Sequence, residues 1–212
     1  MKLSKQTLLT AALTGALVAP LATGASASAS SGTAEARAAV AAPGFLAPRD
    51  LPPATGTVWS AGKVTKGLPD VRVFCLDKVL PGKGATWHRQ FGTDLDTWAV
   101  QVSVTAPSAS AAAKLAADAE KAAANCAADW LRRTPGGTAS WQDYGKLKVE
   151  EGAHVYGVHT GVPDSEHGVH LFGIGRDGRT VTVVKWAQMG TLEHAPVAAF
   201  KKTTVTAVNK LH

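Results

Sequence analysis

Polar and apolar residues alternate most cleanly between Trp98 and Thr105. Trp98, Val100, Val102 and Val104 share one parity, and Gln101, Ser103 and Thr105 take the other. That pattern predicts a strand with one buried and one wet face. Thr86 to Phe91 is its expected partner, joined through the polar turn Gly92-Thr93-Asp94-Leu95-Asp96. The period then changes to 3.6. Pro107 and Ser108 open a helix to about Arg132, which places Leu115, Ala119, Ala122, Cys126 and Trp130 on one face. Lys114, Asp118 and Lys121 supply surface ion pairs, and Thr134-Pro135-Gly136-Gly137 stops the helix. Four further strands are expected: Lys146 to Glu150, His154 to His159, Val169 to Ile174 and Thr180 to Trp186. The last two flank the hairpin signal Asp177-Gly178 and are apolar on both parities, as central strands are. Pro196 opens a final helix that buries Val197, Phe200, Thr204, Val208 and Leu211. Upstream of Gly84 the chain is rich in Pro and Gly, and only short pieces such as Val71 to Leu76 are expected. The order predicts an α+β domain: an antiparallel sheet with two main helices packed on one face.

The N-terminus reads differently. Lys2 and Lys5 precede an uncharged run from Thr7 to Leu21, followed by small residues ending Ala25-Ser26-Ala27. This is the layout of a signal peptide over residues 1–27, with cleavage between Ala27 and Ser28 or, alternatively, after Ala29. The apolar core is too short to span a bilayer. This N-terminal segment carries no Arg-Arg pair and no cleavage-site Cys, so a free, secreted, extracellular protein is expected. Residues 28–48 are Ala- and Ser-rich and read as a disordered leader, and residues 49–212 as a single domain. Removing residues 1–27 takes away two basic residues and no acid, which lowers the net charge from +6 to +4. With basic density confined to Arg132-Arg133 and Lys201-Lys202, nucleic acid is not an expected partner.

Export changes the meaning of the two cysteines. In an oxidising compartment Cys75 and Cys126 are expected to pair, worth roughly 4 kcal/mol in the chain-entropy account. Other candidate chemistry is thin. Gly173-Ile174-Gly175-Arg176-Asp177-Gly178 spells a dinucleotide motif, but a strand rather than a helix follows it, and the glycines are read as serving the hairpin. His167 and His170, three apart on a strand, point to opposite faces. His159 and His170 are the pair expected to converge across the loop Gly161 to Gly168, near Asp164 and Glu166, as surface histidines or as a zinc- or pH-responsive pair. Asp94/Asp96 and Glu150/Glu151 fall in turns, no Gly-x-Ser-x-Gly elbow occurs, and no histidine has an evident Asp or Ser partner. No catalytic residue, metal ligand or cofactor is therefore expected. Most of the six tryptophans are expected in the core, with one or two lining an apolar cleft.

Short motifs across residues 50–212 resemble a known family. They are Asp50-Leu51-Pro52-Pro53, Cys75, His88-Arg89-Gln90-Phe91, Gln101-Val102-Ser103-Val104, the Ala-rich helix ending Asn125-Cys126, the strand-turn-strand Gly173 to Val184, and the close at Lys210-Leu211. Together they resemble the PknH-like extracellular sensor domains of actinobacterial secreted and receptor-kinase proteins. The resemblance implies an α+β domain with a cleft, a disulfide and no catalytic activity, sensing an extracellular ligand. This chain departs from the kinase-linked members in having no kinase domain, no transmembrane helix and only two cysteines. The expectation is a monomeric, non-enzymatic domain that binds a small molecule or a cell-envelope component. The competing expectations are a secreted hydrolase of cell wall or peptides, or an inhibitor or partner of another exported protein.

Overall fold

A computed structural model describes residues 41–165 and 167–212. The signal-peptide and cleavage readings at Ala27 and Ser28, and most of the leader, lie outside the described residues. The domain is built on one antiparallel sheet of eight strands: β1 (Ser60–Ala61), β2 (Thr65–Lys66), β3 (Thr86–Gly92), β4 (Trp98–Thr105), β5 (Thr138–Leu147), β6 (Ala153–Gly161), β7 (His167–Asp177) and β8 (Thr180–Met189). Their spatial order is β1-β3-β4-β8-β7-β6-β5, with β2 also paired to β3. Helix α1 (Ala109–Leu131) joins β4 to β5, and α2 (Val197–Asn209) closes the chain. The α+β class, with an antiparallel sheet and two main helices, is what the patterning predicted.

Placement of both helices on one face is a correction. Val100, Val102, Val181, Val183, Phe172, Ile174 and Tyr156 pack with α1, whereas Val155, Leu171, Val184 and Trp186 pack with Phe200 and Ala207 of α2. Because side chains alternate across a strand, these two sets lie on opposite faces. The sheet is therefore sandwiched, and β8 and β7 are apolar on both parities because each face has its own helix.

The same layering overturns the wet face expected for β4. Gln101 and Ser103 are fully buried on the α2 side. Gln101 Oε1 accepts from Leu46 N at 2.8 Å, and Gln101 Nε2 donates to Thr182 Oγ1 at 3.1 Å. Arg89 Nη1 donates to Leu46 O at 2.8 Å, and Thr203 Oγ1 to Asp50 O at 2.6 Å. Buried polar groups are tolerated when so satisfied. Leu46 is itself fully buried, so the ordered chain reaches back into the stretch expected to be a leader.

Two short strands are also corrected. Val71 to Leu76 is not extended; a succession of turns there buries Val73, Leu76 and Leu80 against the α1 face. Lys146 to Glu150 straddles the end of β5 and a turn, because β5 starts at Thr138 and its exposed face hides the alternation. The Asp177-Gly178 hairpin is as expected: Asp177 pairs with Thr180, and Gly178 takes φ +52°. Gly173 and Gly175 are not turn residues. They lie in β7 under α2, where a Cβ would run into Thr204 and Val208. Ser108 caps α1, accepting from Ala111 N at 3.1 Å. Its buried stripe is Ala112, Ala116, Ala119, Ala123, Cys126 and Ala127, and these small side chains let the helix lie close to the sheet.

Candidate functional site

Cys75 and Cys126 form a disulfide, with Cα atoms 5.6 Å apart. The bond ties the 68–80 segment to the C-terminal half of α1, so that this segment covers the part of the sheet face that α1 leaves free. Phe74, the residue before Cys75, is pinned against β7, its ring centroid 4.5 Å from that of His170.

Beneath Phe74 lies a side chain that strand patterning did not single out. Lys185 sits in the middle of β8, opposite Val100 on one side and Phe172 on the other. It is fully buried, and its Nζ finds no hydrogen-bond partner among the described residues. Its neighbours are aromatic faces: the Trp98 ring centroid is 3.4 Å away and that of Phe74 5.8 Å. With no carboxylate to pair with, burial holds the amine well below the usual lysine range. His170 shares the chamber. Its Nδ1 is also buried and unpartnered, and burial, then the Lys185 amine, push its pKa down to about 3. Two nitrogen bases, both driven toward the neutral form, thus lie buried together against aromatic rings.

Trp98, which lies against the Lys185 amine, also lines a surface cleft. Trp98 is 37% exposed and, with Phe91, Ala99 and Val100, lines a cavity of about 290 Å³ whose other walls are Pro69, Val71, Arg72 and Gln90. Trp98 is thus shared, lining the cleft and also lying against the buried amine. Only Trp186 of the six tryptophans is fully in the core, and Trp141 is 48% exposed, so the core expectation for most of them is too generous. The expectation that one lines an apolar cleft is met by Trp98.

The histidines are arranged differently from the expectation. His159 pairs with Val169 while His170 pairs with Val158, so His159 and His170 point to opposite faces and do not converge. His159 instead meets His167, Nε2 to Nδ1 at 2.7 Å with stacked rings, and burial plus that neighbour lower its pKa. Asp164 lies in the exposed loop between them, and Glu166 is outside the described residues. Asp94 and Asp96 are exposed in the β3–β4 turn, and Glu150 in the β5–β6 turn; Glu151 Oε2 accepts from Gly178 N at 2.8 Å.

His154 does have acidic partners, contrary to the reading that no histidine had one. Its Nε2 donates to Asp143 Oδ1 at 2.7 Å, and its Nδ1 lies 2.9 Å from Tyr156 Oη and 3.3 Å from Glu120 Oε2. The hydrogen bond from His154 lowers the Asp143 pKa, while burial and the two carboxylates raise that of Tyr156. The position a serine or thiol nucleophile would take beside Nδ1 is held by a phenol and a carboxylate. The quartet joins α1 to β5 and β6 as a part-buried polar clasp. Misplacing β5 hid it, since only the true register brings Asp143 opposite Tyr156.

Among the described residues no helix is long and apolar enough to cross a membrane, and no group of three or more His, Cys, Asp or Glu is arranged to hold a metal.

No protein-family model matches the sequence, and no curated protein matches it. One solved structure resembles it weakly, at the level of the fold. This is the extracellular domain of PknH from Mycobacterium tuberculosis, with 14% identity and a TM-score of 0.42 over 72% of this chain and 85% of that one.

Proposed function

We propose that this protein is a non-catalytic domain working outside the cytoplasm, which binds a small, largely apolar molecule in the cleft floored by Trp98. The observation that carries the reading is the Lys185 amine, buried against Trp98 with no hydrogen-bond partner among the described residues. An unpaired buried polar group costs about 1–3 kcal/mol of stability. Such a cost, set beside an open cleft, is characteristic of a functional site rather than of a packing position. The cleft itself has the composition of a ligand site, apolar walls with a few polar groups at the rim. A disulfide that stitches one wall to the main helix fits an oxidising compartment.

A homologous series tests this. n-Alkanols from butanol to decanol should quench Trp98 fluorescence saturably, read as the difference between the protein and Trp98→Phe. Affinity should rise about fourfold per added methylene until the cleft is filled, from roughly 0.8 kcal/mol per buried CH₂. Val71→Asp, which puts a charge on the cleft wall, should abolish it. Quenching that never saturates, or that ignores Val71→Asp, would remove the cleft from consideration.

A further inference from the structure

Building on the cleft reading, we infer that Lys185 is a covalent anchor: the site takes small aldehydes or ketones, whose carbonyl carbon condenses with the Lys185 amine. Three features of the chamber point to a carbonyl rather than to an acid or an alcohol. First, the amine is wholly buried and has no hydrogen-bond acceptor among the described residues. An acidic ligand would need an ammonium partner, and nothing here stabilises one except the ring faces of Trp98 and Phe74. Second, the groups around Lys185 from each packed element are neutral: the Trp98 and Phe74 rings lie against Nζ, Val100 of β4 and Phe172 of β7 are its cross-strand partners, and the neighbouring His170 of β7 is driven toward its neutral form. Burial alone drives the amine toward its unprotonated form, which keeps a lone pair available for attack. Third, the product suits the chamber. An imine is uncharged and offers only one weak acceptor, so it relieves the unpaired amine without placing a new charge in an apolar space.

The step balances without any further reagent. The Nζ lone pair attacks the carbonyl carbon and the C=O π pair moves to oxygen. A proton passes from nitrogen to that oxygen to give the carbinolamine. Loss of the hydroxyl with the second nitrogen proton, as water, leaves a C=N double bond. No electron is gained or lost. Access runs through Trp98, at the half-exposed start of β4, whereas Phe74 is held by the adjacent Cys75–Cys126 bond.

Hexanal is the probe. The full-length protein is incubated at pH 7 with hexanal and quenched at successive times with sodium borohydride, which reduces a neutral imine, followed by intact-mass measurement and peptide mapping. The expected result is a single hexyl group on Lys185, added at least about tenfold faster than at the exposed Lys78 or Lys83, since the neutral amine is the nucleophile. Mapping is done on the unmodified sequence, so it does not depend on any variant folding; Lys185→Met should abolish the adduct. Absence of a Lys185 adduct while hexanal still quenches Trp98 saturably overturns the covalent anchor and leaves the cleft reading standing. Absence of both overturns the two together.

Discussion

Replacing Lys185 by Met should make the protein more stable. Met fills nearly the same volume, keeps an apolar stem along β8 and sets a thioether against the Trp98 ring, a favourable contact. What is removed is an amine with no hydrogen-bond partner among the described residues, and relief of that unpaired group is worth about 1–3 kcal/mol. A domain of this size gains about 2–4 °C in Tm per kcal/mol, so a rise of roughly 2–12 °C is expected. The pH dependence gives a second, independent handle. Unfolded, the lysine keeps its proton up to about pH 10.4; folded, its pKa is well below that. Between the two values the unfolded chain binds more protons, so the unsubstituted protein gains stability as pH rises, by at most about 1.4 kcal/mol per unit. The variant has no such slope, and its advantage should therefore be largest near neutrality and shrink toward pH 10. Urea unfolding of both proteins at pH 7.0, 8.5 and 10.0 measures this directly. A variant less stable than the parent, or an advantage that does not change with pH, would refute a neutral, unpaired amine and the functional argument built on it.

The buried His170 acts at the other end of the scale. With its folded pKa near 3 against an ordinary value of about 6.5, its contribution is intact above pH 6.5 and is lost as pH falls toward 3. At pH 4.5 this amounts to roughly 3 kcal/mol, and His170→Phe should flatten that part of the urea-midpoint profile. Cys75→Ser with Cys126→Ser should lower unfolding stability by roughly 3–4 kcal/mol, measured against the unreduced parent. An unchanged midpoint would mean that the 68–80 segment holds its place without the bond. Gly173→Ala should cost about 1–3 kcal/mol by thermal melting, because the new methyl meets Thr204 of α2. Gly178→Ala should cost less, since its site is open and only the positive φ is strained.

Local pattern was enough to define much of this protein. Alternation marks β4 to the residue, a change of period marks α1 and its Ser108 cap, and Asp177-Gly178 marks the β7–β8 hairpin, because each of these is set by neighbours in the chain. An even cysteine count with an export-type N-terminus is enough to expect the Cys75–Cys126 bond. One signal for the candidate site was present and was passed over: a lone lysine between Val184 and Trp186, in a strand apolar on both parities. Other features depended on contacts between residues far apart in sequence. Strand parity says which residues share a face but not what covers that face. Gln101 and Ser103 therefore read as wet until Leu46 and α2 closed over them, and the helices read as sharing one side when each takes its own. His159 and His170 looked convergent until the β6–β7 register put them on opposite faces, and His154 looked solitary until β5 brought Asp143 beside it. Lys185 became a candidate site in the same way. Its isolation follows from three aromatic side chains and a histidine delivered by β4, β7 and a disulfide-tied segment, and a register shift of one residue would have put the same amine on the α2 side of the sheet.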